Sequence, residues 1–313
     1  TRNGGEKGHN VPMSTKMTAP KVLARKGGAK VKMVTAYDFP TARIADRAGA
    51  DIILVGDSVA NVVLGYEDTL AVTVDVMVHH TAAVARAKPN AMVLGDMPWL
   101  SYHTSVEDTV RNAGRLVREG GAEAIKLEGG RKRLPMIRAV LGAEIPVMGH
   151  LGLTPQSVHA MGGYRVQGKR AAAAYELVSD AKALADAGVF GIVLEGVPDV
   201  LAEIVTREVS VPTVGIGAGR HCDGQVLVLH DVLGLGGGEY LPKFVRQYGS
   251  IADESVALLE QFFADVETGE FPGEAETYHM PPESEEILRD LNKMAGEPTA
   301  AADDLLADEA MER

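Results

Sequence analysis

The stretch AIKLEGG, residues 124–130, sets Lys126 and Glu128 two positions apart in an otherwise apolar run. Side chains alternate across a strand, so the cation and the anion face the same side. Five more apolar runs end in a carboxylate or an imidazole: Asp38, Asp57, Asp96, His150 and Glu195. Three readings compete for them. An acid after a strand commonly caps the following helix. A lysine among acids is also a natural centre for a salt-bridge network. The third reading is a metal site, because gathered carboxylates repel one another and a divalent cation relieves that repulsion. Glu128 and Glu195 favour it over capping, since each is followed by glycine in LEG. An oxygen donor set suits Mg²⁺ or a similar hard ion, and the lack of a His/Cys cluster disfavours zinc. A lysine beside such carboxylates is placed to bind an anionic substrate group.

Other stretches leave their alternatives open. VPTVGIGAGRHCDGQ is glycine-rich but carries Arg220 where a dinucleotide fingerprint needs its third glycine. It reads either as a phosphate loop or as a tight, closely packed turn. GHLGLTPQ reads as a turn with His150 at a strand end. His79 and His80 fall on a helical pattern, as core or surface histidines. Cys222, the one cysteine, reads as a small buried apolar group.

The elements that must position these residues repeat along the chain. Short apolar runs occur at 31–38, 51–58, 91–98, 124–130, 145–152, 191–198, 212–219 and 224–231, most followed by a loop and an amphipathic segment such as TARIADRAGA. Continuous apolar strands alternating with helices imply a parallel sheet covered by helices. Eight such units in about 200 residues predict an α/β fold, a (β/α)8 TIM barrel, with a doubly wound open sheet as the rival. In a barrel the strand ends carrying these side chains converge on one face. One feature fits poorly: RHCDG, between the last two runs, is too short for a crossover helix. The expected organisation is a flexible N-terminal arm at 1–17, a catalytic barrel at 18–264 and an acidic, helical and partly disordered C-terminal extension at 265–313.

Charge supports that division. From Asp265 onward there are 15 acidic and 3 basic residues, which is the whole net charge of −12; the preceding 264 residues carry 28 of each sign. A neutral body with an acidic tail argues against a nucleic-acid partner. No apolar run approaches the roughly 18 residues of a membrane span, and the N-terminal stretch lacks a signal-peptide core. A cytoplasmic location is the expectation.

The stretches GDSVANVVLGYEDTLAVTVDVMVHHTAAV, KLEGG, GHLGLTPQ, LEGVP and GIGAGRHCDGQVLVLHDVLGL, in this order between about residues 17 and 265, resemble the ketopantoate hydroxymethyltransferase family. The resemblance implies a barrel of the phosphoenolpyruvate/pyruvate superfamily, commonly assembled as a homo-oligomeric decamer. It implies transfer of a hydroxymethyl group from 5,10-methylenetetrahydrofolate to 3-methyl-2-oxobutanoate, assisted by Mg²⁺. For individual residues it implies that Asp57 and Ser58 meet the substrate, with Asp57 also on the metal. Asp96 is then a second residue of the metal site near the substrate, and Glu128 completes that site. Lys126 contacts the substrate carboxylate, Glu195 is the base, and His150 supports the site. Two other readings are a lyase or mutase of the same superfamily, whose cysteine-bearing KKCGH motif is absent here, and an inactive ligand-binding barrel.

Overall fold

The computed structural model describes residues 16–236 and 241–294. Eight strands lie where the apolar runs are: β1 Val31–Thr35, β2 Ile52–Val55, β3 Met92–Asp96, β4 Ala124–Glu128, β5 Val147–Gly152, β6 Gly191–Glu195, β7 Thr213–Ile216 and β8 Gly224–Leu227. All pair in parallel, each with its neighbour in sequence, and β1 also pairs with β8. That last pairing closes the barrel and rules out the open sheet.

Alternation along the strands separates two apolar layers. Met33, Ile52, Leu54, Met92, Leu94, Ala124, Met148, Val193, Val214 and Val226 fill the barrel interior. Ile53, Val55, Val93, Ile125, Leu127, Val147, Ile192 and Leu194 instead pack with residues of the helices. Three helices are capped by the side chain before them, Asp38, Thr73 and Ser105. In Val106–Arg118, the Ser105 hydroxyl accepts from the Asp108 amide, acids occupy the first turn and arginines the last. That helix buries Thr109, Ala113 and Leu116, spaced along one face.

The poorly fitting RHCDG link resolves physically. β7 and β8 are joined without a helix by residues 217–223, which reverse sharply through Gly217 and Gly219, both at positive φ. A Cβ on Gly217 would lie 2.8 Å from Phe244, and one on Gly219 2.6 Å from Asp199, so the loop is glycine-rich because it is closely packed. Of the expected arm, Lys16 and Met17 are tied down: the Lys16 ammonium donates to the Pro89 and Ala91 carbonyls and the Met17 amide to Asn90. The helix Ala19–Leu23 then puts Ala19 and Val22 into the interior cluster, at the N-terminal ends of the strands. The rest of the arm, residues 1–15, lies outside the described residues.

The chain forms two compact units, divided between Ala252 and Asp253. The change in charge at residue 265 does not coincide with this division, because the helix Ile251–Thr268 continues through both positions until Gly269 at positive φ. The second unit continues with the helix Pro282–Met294; the low-complexity tail from 295 to 313 lies outside the described residues. No helix among the described residues is long and apolar enough to cross a membrane.

Candidate active site

The register of the barrel assembles the site. Asp96 at the end of β3 stands beside Lys126 on β4, and Glu128 beside His150 on β5. Lys126 and Glu128 share the interior parity of Ala124, so the paired charges of AIKLEGG do face the same side, at the C-terminal end of the barrel. The Lys126 ammonium lies 2.9 Å from Asp96 Oδ1 and 3.3 Å from His150 Nδ1. His150 bridges two carboxylates, with Nδ1 3.3 Å from Glu128 Oε1 and Nε2 3.2 Å from Glu195 Oε2. Asp57 follows β2, and its amide donates to Asp96 Oδ2 at 3.2 Å. Ser58 sits at the edge, its hydroxyl 2.8 Å from that of Tyr37. Asp38 is not part of this group: its carboxylate accepts from the Thr41 amide and caps the helix Phe39–Arg47, so capping is the right reading there.

Burial is deep but graded. Asp57, Asp96, Lys126, Glu128 and His150 are buried, whereas the Glu195 side chain keeps 17% of its surface exposed. Burial first, then the like charges of Asp96 and Glu128, hold Asp57 well above the ordinary carboxylate range. Burial also raises Asp96, against the pull of Lys126. Burial alone would push Lys126 down, but Asp96, Glu128 and Asp57 together hold it up. For His150, burial and the Lys126 charge oppose protonation; Glu128 and Glu195 outweigh them and push it up to about 9.

Four carboxylates thus face one lysine and one histidine. Asp96 Oδ1, Glu128 Oε1 and His150 Nε2 are buried without an aligned hydrogen bond, although each lies within 3.3 Å of an oppositely charged group or of a group that is charged when protonated. The count leaves the cluster richer in acids than in bases, and the contacts leave these three atoms without aligned partners. That fits a hard divalent cation. Mg²⁺ commonly takes only one or two carboxylates and fills its remaining positions with water and substrate oxygens. Among the described residues no three His, Cys, Asp or Glu side chains stand as a ready-made ligand shell.

Two buried residues that hydrogen-bond to the cluster, Gln156 with Asp57 and Glu128 and Tyr102 with Glu128, were missed by sequence reasoning. Gln156 lies in the short 3-10 turn Pro155–Ser157 after β5, and Tyr102 in the loop after β3. Gln156 stands in the GHLGLTPQ stretch, where His150 and not the glutamine draws the reading. Nothing in PWLSYHTS set Tyr102 apart.

Comparison with known proteins identifies the family. A profile of the ketopantoate hydroxymethyltransferase family matches residues 16–274. The chain is 54% identical over 265 residues to the 3-methyl-2-oxobutanoate hydroxymethyltransferase of Moorella thermoacetica, covering 84% of this chain and 98% of that protein. It is 55% identical over 264 residues to the enzyme of the same name from Syntrophomonas wolfei, covering 84% and 94%. In fold it is similar to a crystal structure of 2,3-dimethylmalate lyase, a PEP mutase/isocitrate lyase superfamily member, with a TM-score of 0.51 at 18% identity over 90% of this chain and 97% of that one. With the family profile spanning the whole barrel and the motif residues gathered at one end of it, the chain belongs to the ketopantoate hydroxymethyltransferase family.

Proposed function

We propose that this protein uses 5,10-methylenetetrahydrofolate and one water to place a hydroxymethyl group on 3-methyl-2-oxobutanoate, giving 2-dehydropantoate and tetrahydrofolate. The observation that carries the reading is 54% identity over 265 residues to a relative named for this activity.

The reaction begins by removing a weakly acidic proton from the carbon next to a ketone. Glu195 suits the base because it alone among the four carboxylates combines partial exposure with a place at the rim of the cluster. It takes the proton from carbon 3 of the oxo acid, and the electron pair of that C–H bond shifts onto the keto oxygen as the enolate forms. His150, with Nε2 3.2 Å from Glu195 Oε2, orients that carboxylate. Lys126 binds the substrate carboxylate, and Ser58 and Asp57 line the approach from β2. Asp57, Asp96 and Glu128 are the residues that would hold Mg²⁺, which when bound supplies Lewis-acid polarisation of the substrate's keto group. The enolate carbon then attacks the one-carbon unit of the folate, forming the new C–C bond; both C–N bonds to the folate break with their electron pairs left on nitrogen, a water supplies the hydroxyl oxygen, and the proton held by Glu195 and one from that water complete tetrahydrofolate. The same reading includes a cytoplasmic homo-oligomer, a decamer by resemblance, which sedimentation of the purified protein tests.

The deciding experiment follows 2-dehydropantoate formation from the two substrates, with and without Mg²⁺, in the natural protein and in Glu195→Gln. Loss of about 10²–10⁴-fold in the variant is the expected size for removing a general base. No turnover by the natural protein with Mg²⁺ present removes the proposal. Full activity in Glu195→Gln keeps the reaction and removes Glu195 as its base.

A further inference from the structure

A closed ring of hydrogen bonds through Gln156, Tyr102 and Glu128, with a branch to Asp57, links two of the site's carboxylates through a neutral residue. The Gln156 side-chain amide donates to Asp57 Oδ2 and to the Met97 carbonyl, each at 2.9 Å. Its backbone amide donates to Glu128 Oε2 at 3.1 Å. Its side-chain oxygen accepts from the Tyr102 hydroxyl, which itself accepts from the Glu128 amide at 3.2 Å. All five residues are buried.

The chemistry of the donors fixes every orientation. The Tyr102 hydroxyl has one proton, and because the Glu128 amide already donates to that oxygen, the proton is free for Gln156. Turning the Gln156 amide over would set its oxygen against the Met97 carbonyl, which can only accept, so only one orientation satisfies the ring. Each carboxylate is therefore held by one oxygen. For Glu128 the held atom is Oε2, and Oε1 is left buried without an aligned donor. A glutamate at position 156 would break the ring, because a carboxylate has no proton to offer Asp57 when ionised.

We propose that Gln156, locked by Tyr102, is a positioning residue that turns one oxygen each of Asp57 and Glu128 away from the reacting centre and leaves the other for the cation and substrate. The inference rests on the site reading given under Proposed function. It predicts that Gln156→Leu weakens Mn²⁺ binding by the substrate-free protein, and lowers kcat more than it raises KM for the oxo acid, by about 10- to 100-fold in each of binding and kcat. Tyr102→Phe keeps the donor to Asp57 but unlocks the amide, and shifts both in the same direction by less.

The test measures free Mn²⁺ by electron paramagnetic resonance during titration of each folded protein, alongside kcat, KM and the thermal midpoint. A purely structural Gln156 would lower the midpoint while leaving Mn²⁺ affinity and kcat per folded molecule within twofold of the natural protein, and that result overturns the inference. If Gln156→Leu does not fold, Tyr102→Phe decides by the same criterion. Absence of Mn²⁺ binding in the natural protein also overturns it. Failure of the natural protein to make 2-dehydropantoate, with Mn²⁺ binding present and lost in the variants, strikes the proposed reaction and leaves the positioning role standing.

Discussion

The two ends of the barrel both bury carboxylates, and they treat them in opposite ways. At the N-terminal end, Asp51 accepts from the Lys32 amide at 2.9 Å and lies 3.4 Å from the Arg25 guanidinium. Asp223 accepts from the Gly27 amide, the Thr213 amide and the Lys26 ammonium, at 3.0, 2.9 and 2.9 Å. Each of these acids spends its oxygens on fixed donors, so they hold the fold together and have little left for a ligand. At the C-terminal end, Asp57 and Asp96 are pushed up by burial and crowding, and buried oxygens lack aligned donors. Satisfied acids at one end and crowded ones at the other separate structure from chemistry more sharply than residue type or burial does.

The largest expected break in this comparison is Lys126→Met. It leaves Asp57, Asp96 and Glu128 buried with their main cation gone, and removing one partner from a buried charge cluster costs about 3–5 kcal/mol. Urea unfolding in metal-free buffer measures the loss, and added Mg²⁺ restores part of it because a cation bound only by the folded state stabilises it. A loss below about 1 kcal/mol would show that the upper carboxylates do not depend on the lysine. Next in size is Asp223→Ala at the opposite end. It strands two backbone amides and an ammonium, for a cost of about 3 kcal/mol, while turnover per folded molecule stays at the natural value. A fall in turnover at full folding would mean that the two ends are coupled.

How much of this was legible in the sequence follows from the same physics. The strands were readable because eight continuous apolar runs serve a sheet buried on both faces. Lys126, Glu128, Asp96 and Glu195 were readable because a charge at the end of such a run has no packing reason to be there. Asp38 carried the same signal and proved to be a helix cap, since capping and catalysis both place an acid after a strand. Gln156 and Tyr102 were not distinguished, because their role depends on partners 99 and 26 positions away and no periodicity encodes that. The helix-free β7–β8 link was hard to assign because only the close approaches at Gly217 and Gly219 explain it.

A smaller effect of opposite sign tests the crowding at Asp57. Its folded pKa lies above its unfolded value, so between the two the folded state binds more protons, and stability falls as pH rises through that window. Asp57→Asn removes the charge and keeps an acceptor for Gln156. In metal-free buffer near pH 8 it is expected to gain about 1 kcal/mol, as neutral replacements of crowded buried charges often do, while losing activity. A loss of stability at that pH would place Asp57 with the satisfied acids of the other end.

The smallest expected effect concerns His103, on the loop next to Tyr102. Burial first, then the charge of Arg133 with a smaller push from Lys132, lowers it to about 4, against a weaker opposing pull from Glu128. Its ring packs on Tyr102 with centroids 4.3 Å apart, and its Nδ1 is buried without a partner. Here the unfolded state binds more protons between about pH 6.5 and 4, so this contribution is complete above the unfolded value and is lost as pH falls through that interval. His103→Gln has no such titration, and its stability profile between pH 6.5 and 4 should be flatter than that of the natural protein. The ring is partly exposed, so the difference is expected to be small, and urea midpoints at half-unit pH steps would resolve it. Parallel profiles would show that the imidazole charges freely in the folded state. The positive field of Arg133 and Lys132 would then not reach the rim of the site, and the surplus negative charge inside the barrel mouth would stand without a cationic border on that side.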